Sequence, residues 1–360
     1  MTGAILVTGG AGFIGSNFVR HCLDNSDSVV VVLDKLTYAG NLENIGDRID
    51  GKRLEFVQGD IADEHLVGSL LIRYQMTGIV NLAAESHVDR SILAPDDFVA
   101  TNVLGTMRLL RAATLYFESL PEAERRSFRF LHVSTDEVYG SLRADGLAFT
   151  ETTAYAPNSP YAASKASADH LVRAWHSTYG LPTLITNCSN NYGPFQFPEK
   201  LMPLIIVRAM SGESLPVYGD GQQRRDWLHV SDHCAGILSV LAGGRPGHSY
   251  NMGGAAECSN LDVVKLLCAN LDRLFPRLAG GHYCELIKHV GDRPGHDRRY
   301  AVDATQINRE LGWRPVVGFA DGIESTVRWY IQHRDWLERV KSGRYREWIE
   351  QNYTGREARS

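Results

Sequence analysis

The chain has 360 residues, 44% of them hydrophobic and 22% charged, and a formal net charge of −5. This suits a soluble protein of one large domain or two ordinary ones, and the acidic balance excludes a general affinity for nucleic acid while leaving room for a local basic pocket. No apolar run approaches the roughly 18 residues of a membrane helix, and the opening MTGAILVTGG lacks the basic and apolar regions of a signal peptide.

AILVTGG is a short apolar run ending in glycine, and FIGSNFVRHCLDN has helical spacing. Gly9, Gly12 and Gly15 therefore form G-x-x-G-x-x-G between a strand and a helix. Such glycines permit a tight turn and let backbone N–H groups approach a pyrophosphate at the helix N-terminus. A plain turn with close helix packing is the alternative. SVVVVLD is a second strand, closed by Asp34 about 20 residues on, where an acid binds an adenosine ribose. Asp34 disfavours the extra phosphate of NADP, an inference that the neighbouring Lys35 weakens. LEFVQGD is a third strand. Its Asp60 either meets the adenine or caps the helix of HLVGSLLIRYQ.

GIVNLAA, FRFLHVS and LPTLITNCSNNYG continue as strands, with a helix-like stretch around NVLGTMRLLRAATLYFESL. Strands alternating with helices predict βαβ units in a parallel, doubly wound sheet. The near-continuous apolar strands suit a sheet covered on both faces.

HVSTDEVYG sets Asp136 beside Glu137 where a buried strand ends. Neighbours in a strand point to opposite faces, so the two acids share one cleft only if the alternation stops there. A solvated loop pair is the alternative. SPYAASKASADHL carries Tyr161 and Lys165 at i, i+4 on one helical face. A phenol is a poor base at neutral pH; a nearby ammonium and a cationic nicotinamide would favour the phenolate. Unremarkable surface helix chemistry is the alternative.

After about residue 190 the rhythm breaks. YGPFQFPEKLMP and GESLPVYGDGQQRRDW predict a second, irregular region. SYNMGG, LDVVKLL and a long amphipathic ending through IESTVRWYIQHRDWLERV follow, and the tail TGREARS is expected to fray. Cys22, Cys188, Cys234, Cys258, Cys268 and Cys284 are scattered without a CxxC pair. Reduced thiols are expected, with no disulfide framework and no metal site.

TGGAGFIGS, NLAAESHVDRS, VSTDEVYG and YAASK resemble the extended short-chain dehydrogenases that act on sugar nucleotides. STDEVYG, NCSNNYGPFQFPEKLMP, PVYGDGQQRRDWLHVSDH and DRPGHDRRYAVD narrow the resemblance to the 4,6-dehydratases of that family. It runs from residue 5 to about 330. The related epimerases and decarboxylases lack the Asp-Glu pair. The resemblance implies an α/β fold, a Rossmann-like doubly wound parallel sheet with a smaller mixed C-terminal substrate domain. The implied division is 1–188 plus about 224–256 for the cofactor, and about 189–223 plus 257–360 for the substrate.

The resemblance further implies NAD, tightly bound and regenerated each turnover. Its contacts would be Gly9, Gly12, Phe13, Ile14, Gly15, Asp34, Lys35, Leu36, Thr37, Asp60, Ile61, Leu82, Ala83, Ala84, Ser86, Thr101, Tyr161, Lys165 and Asn191. For Ala83, Ala84 and Ser86 a plain strand end is the alternative. The implied substrate is dTDP-glucose, with UDP-glucose as the alternative. Tyr161 would take the C4 hydroxyl proton, with Thr135, or alternatively Ser134, hydrogen-bonded to the same oxygen and Lys165 in support. Glu137 would act as base at C5 and Asp136 as acid at the C6 hydroxyl.

Ser86, His87, Thr135, Asn190, Lys200, Leu201, Pro216, Tyr218, Arg225, Asn260, Arg293 and His296 match substrate positions. Arg225 and Arg293 would meet the diphosphate. Arg224 and the DRR arginines would be solvated or paired with Asp226 and Asp297. Helices around 101–118 and 161–178 imply a homodimer with a four-helix interface. The cytoplasm is the expected location, with neither nucleic acid nor membrane as partner. A UDP-sugar 4-epimerase or decarboxylase is the rival enzyme, and an NAD-sensing regulator the non-enzymatic rival.

Overall fold

The computed structural model describes residues 3–341. β1 (Ala4–Thr8) passes through the glycine loop into α1 (Phe13–Asn25), followed by β2 (Val29–Asp34), β3 (Leu54–Gln58), α2 (Glu64–Arg73), β4 (Met76–Asn81) and α3 (Val88–Leu93). α4 (Pro95–Phe98), a π-helical stretch (Val99–Gly105) and α5 (Thr106–Ser119) then follow without a break. α6 (Glu122–Ser127) leads to β5 (Arg129–Thr135), a 3-10 turn (Asp136–Tyr139), α7 (Pro160–Tyr179) and β6 (Thr183–Cys188). Next come β7 (Asn190–Tyr192), α8 (Leu201–Met210), β8 (Leu215–Tyr218), β9 (Arg224–His229), α9 (Val230–Gly243), β10 (Ser249–Met252), β11 (Glu257–Ser259) and α10 (Asn260–Leu274). β12 (Ile287–Val290), α11 (Thr305–Leu311), α12 (Phe319–Gln332) and α13 (Arg334–Val340) complete the described chain.

Seven strands form one parallel sheet in the order β10-β6-β5-β4-β1-β2-β3. The apolar strands are covered on both faces, as their composition predicts. Ile5 and Val7 of β1 pack with Phe18 and Val19 of α1 and Ile237 of α9. Leu6 between them faces the other way, toward Leu109 and Leu110 of α5 and Val172 of α7. Each such burial contributes roughly 1.5–3 kcal/mol, so the sheet fixes where the strand ends lie. The strand order reverses beside β1, which opens a crevice at the carboxyl ends of the strands.

Three sequence expectations change. LPTLITNCSNNYG is not one strand: the chain breaks at Ser189, whose N–H donates to the Met252 carbonyl at 2.9 Å. β7 then leaves the main sheet for a three-stranded one, β11-β9-β7. The irregular region holds regular structure, including α8 and a parallel β12–β8 pair. The amphipathic ending divides at His333 (φ −112°, ψ 43°) into α12 and α13. A third core, including Tyr192, Ile205, Leu267, Ile323 and Tyr330, binds these elements together.

From α13, the Trp336 indole N–H donates to Asn44 Oδ1 at 2.9 Å, and the Asn44 amide donates to the Ala11 carbonyl in the glycine loop at 2.9 Å. The tail TGREARS lies outside the described residues. Among the described residues no helix is long and apolar enough to cross a membrane.

Candidate functional site

The glycine loop borders a cavity of about 300 Å³ that follows the carboxyl ends of the strands. Gly9 has φ +68°, a left-handed conformation that glycine adopts without strain. A Cβ on Gly15 would stand 2.1 Å from the Gly9 carbonyl oxygen, so that position admits no side chain. α1 begins at Gly12 with no side-chain cap and no acid in its first turn. Its N-terminus is left to a negative ligand, which fits a dinucleotide pyrophosphate.

Asp34 closes β2 against this loop. Its Oδ2 accepts from Ala11 N (2.9 Å) and its Oδ1 from Leu36 N (2.8 Å), and burial raises its pKa. Lys35 pairs with Asp60 at 2.8 Å, which leaves it poorly placed to greet a further phosphate. Asp60 does not cap α2; Asp63 does, accepting from Leu66 N at 3.0 Å. Asp60 instead lines the cavity. Apart from Leu36, every residue expected to contact the cofactor lines it as well.

β5 ends at Thr135, and the chain then turns in 3-10 geometry. Successive side chains in such a turn diverge by about 120° rather than 180°. Asp136 and Glu137 can therefore both line one cavity, and they do. Glu137 N donates to Thr135 Oγ1 at 3.3 Å. The two acids have unequal surroundings. Asp136 is 1% exposed and its Oδ2 has no partner. Burial and then Glu137 push its pKa well above the ordinary carboxylate range. Burial also raises Glu137, but Arg293, Arg225 and Lys200 oppose the rise.

Ser159 caps α7 by accepting from Ala162 N (3.1 Å), with Pro160 in the first turn. This delivers Tyr161 and Lys165 to the same cavity. Lys165 Nζ donates to the Val133 carbonyl at 2.8 Å. The chain alone does not prepare a phenolate. Burial, followed by Glu137, drives the Tyr161 pKa well up, and the Thr135 hydroxyl opposes this only in part. Burial also pulls Lys165 down.

A second cavity, of about 170 Å³, joins the first at Glu137, Asn190 and Lys200. His87, Leu201, Pro216, Tyr218, Arg225, Asn260, Arg293 and His296 line it, while Ser86 and Thr135 line the first cavity. Arg293 Nε is buried without a partner, an opening for an anionic acceptor. Arg225 donates to the Arg224 and Asp297 carbonyls and lies 4.3 Å over the Tyr300 ring.

The other arginines find partners the sequence did not suggest. Arg299 and Arg224 approach Glu257 at 2.7 and 3.7 Å, and Arg298 pairs with Asp220 at 2.8 Å. Asp226 is occupied by Gly254 N and Ala256 N, and Asp297 by Asn158 and Tyr300.

Sequence reasoning missed two residues here. Glu199 is buried where the cavities meet. It accepts from the Tyr38 hydroxyl at 3.0 Å and lies 3.4 Å from Arg90, and burial lifts its pKa to about 7. Asn102, inside the π-helical stretch, accepts from Glu85 N (2.9 Å) and donates to Glu85 O (3.0 Å) and Ser164 Oγ (2.9 Å). It ties the end of β4 to α7. The FPEK motif around Glu199 carries no periodic signal that would have singled it out.

A family model described as GDP-mannose 4,6 dehydratase matches residues 6–326. The dTDP-glucose 4,6-dehydratase of Shigella flexneri is 54% identical over 361 residues, covering 98% of this chain and 99% of that protein. The dTDP-glucose 4,6-dehydratase of Xanthomonas campestris pv. campestris strain B100 is 57% identical over 341 residues, covering 95% and 97%. Among solved structures, the dTDP-glucose 4,6-dehydratase of Streptomyces venezuelae, with NAD and TYD bound, superposes with a TM-score of 0.84 at 48% identity. It covers 94% of this chain and 100% of that one.

Proposed function

The chain belongs to the GDP-mannose 4,6 dehydratase family, and from that premise we propose that it converts dTDP-glucose to dTDP-4-keto-6-deoxyglucose in an NAD-dependent dehydration. The observation that carries this reading is the unequal pair Asp136 and Glu137 in one cavity. Loss of water across C5 and C6 needs a base at one carbon and an acid at the other. Two carboxyl groups divide those roles when their surroundings separate their pKa values.

NAD, when bound, would supply the acceptor for the hydride of C4 and the donor of that hydride to C6. Gly9, Gly12 and Gly15 would admit its pyrophosphate and Asp34 its ribose. Tyr161 takes the proton of the C4 hydroxyl, with the Thr135 hydroxyl on the same oxygen. Lys165 stabilises the phenolate that the buried site otherwise resists. The 4-ketone acidifies C5–H. Glu137, kept toward its ionised form by three cations, removes that proton and gives it back to C5 when hydride reaches C6. Asp136, held protonated by burial, gives its proton to the departing C6 hydroxyl.

Arg293 and Arg225 hold the diphosphate, and Tyr218 lies along the base. The cofactor is retained because the redox cycle closes. The division at about residue 189, the cytoplasmic location and a homodimer belong to the same proposal. Val99 and Leu104 of the π-helical stretch and Leu115 of α5 are exposed, as are Ala163 and Ala174 on α7. Exposed apolar faces of this kind suit a partner copy.

Purified protein mixed with dTDP-glucose and, separately, UDP-glucose, without added reductant, should form a 4-keto-6-deoxy product fastest from dTDP-glucose. Absence of product from both sugars, with NAD bound, defeats the reading.

A further inference from the structure

Lys165 is 3% exposed, and burial draws its ammonium toward the neutral amine. A neutral amine would give the Tyr161 phenolate no support. The groups facing Nζ are His132 and the Val133 carbonyl from β5, Asp169 from α7, and Cys188 from β6. Those facing the phenol are Thr135, Asp136, Glu137 and Cys188.

Asp169 follows Tyr161 and Lys165 on the same helical face and is fully buried. Its Oδ2 accepts from Ser134 (2.8 Å), Tyr155 (3.0 Å) and Asn187 (3.2 Å). Burial raises the Asp169 pKa, and the nearby Lys165 charge and then the three donors on one oxygen oppose that rise in favour of the carboxylate. Its Oδ1 accepts nothing and lies 3.5 Å from His132 Nε2. The same Nε2 lies 3.3 Å from Lys165 Nζ. The imidazole edge thus stands between ammonium and carboxylate.

Behind the ring, His132 Nδ1 is 3.0 Å from the Asn81 amide, which is held in turn by the Thr8 hydroxyl at 2.7 Å. A neutral imidazole carries one hydrogen, and the Asn81 amide decides where it sits. With the amide nitrogen toward Nδ1, the hydrogen is on Nε2 and faces Asp169. With the amide reversed, the Nε2 lone pair accepts from Lys165.

We propose that His132 and Asp169 are positioning residues for Lys165, the carboxylate supplying a buried counter-charge and the imidazole edge setting the gap between that charge and the ammonium. Neither residue lines the cofactor cavity. They act by keeping Lys165 charged and anchored at Val133 while a cationic cofactor ring shares the site. The inference rests on Tyr161 being the C4 base.

The test uses NAD-loaded protein and its Asp169→Asn variant. The phenolate of Tyr161 is titrated as the near-ultraviolet difference between each form and its Tyr161→Phe counterpart. The acid limb of the pH profile is followed for sugar-driven reduction of bound NAD. Both should move up by about one pH unit or more, and His132→Asn should move them the same way. In a Lys165→Met background, Asp169→Asn should give no upward shift.

A downward shift means that Asp169 acts only through its own field on Tyr161, and overturns the proposal. An unmoved limb with a lower melting temperature means a packing role, and also overturns it. If Asp169→Asn does not fold, His132→Asn carries the same readings. Wild-type protein that never reduces its NAD with sugar defeats the functional reading instead; the phenolate titration still decides this one.

Discussion

Arg293 lies 3.5 Å from Asp89, an ion pair that reaches from the loop after β12 to α3. The other Asp89 oxygen accepts the Tyr218 hydroxyl at 3.1 Å. One buried carboxylate lining the second cavity therefore holds the arginine proposed for the diphosphate and the tyrosine proposed for the base. Asp89→Asn keeps an acceptor for Tyr218 and removes the charge facing Arg293. The expected result is a KM for the nucleotide sugar raised about fivefold, about 1 kcal/mol, with kcat little changed. Steady-state kinetics checks this split.

The combined change Asp136→Asn and Glu137→Gln removes both acid and base for water loss but leaves Tyr161 in place. Adding dTDP-glucose should still reduce bound NAD, which then stays reduced. Formation of 6-deoxy product should fall by about 10²–10⁴. Absorbance of the bound cofactor and product chromatography report the two steps separately. Full turnover by the variant would contradict the assigned roles.

Glu199 has a folded pKa of about 7 against an ordinary 4.5. The native state therefore holds an extra proton between those values. Stability should fall as pH rises through that window, by on the order of 3 kcal/mol, and level off above it. Glu199→Gln should flatten this slope. Denaturant unfolding at a series of pH values measures it.

A methyl on Gly15 would collide with the Gly9 backbone rather than with a movable side chain. Gly15→Ala should empty the cofactor cavity and lower stability by roughly 1–3 kcal/mol. The NAD content of the purified variant and its melting curve are the measurements.

Leu104 and Leu115 are 47% and 66% exposed. Replacing both with Glu should leave the fold intact and convert a dimer to monomers. Sedimentation velocity distinguishes the two states. A variant that remains dimeric places the interface elsewhere.

What the sequence disclosed depended on range. The glycine loop, Asp34, the two acids and the Tyr161–Lys165 spacing are local patterns, and each falls where its pattern implies. The partners of Arg224, Arg298 and Arg299 depend on how distant loops meet, which spacing does not encode. The break at Ser189 depends on β10 arriving beside β6, more than 60 residues later in the chain. The π-helical stretch at Asn102 has the composition of any helix, and only its contact with Glu85 reveals it. Glu199 becomes unusual only once Tyr38 and Arg90 enclose it.

The brace from Trp336 through Asn44 to Ala11 joins nearly the two ends of the described chain. A ribosome releases these residues in order, at about 5–20 per second. The glycine loop emerges early but waits for almost the entire polypeptide before that brace can form. The nascent sheet likewise has no β10 along β6 until residue 252 is free. The last support of the glycine loop is thus completed only after residue 336 has emerged, when the strands around that loop have long been made.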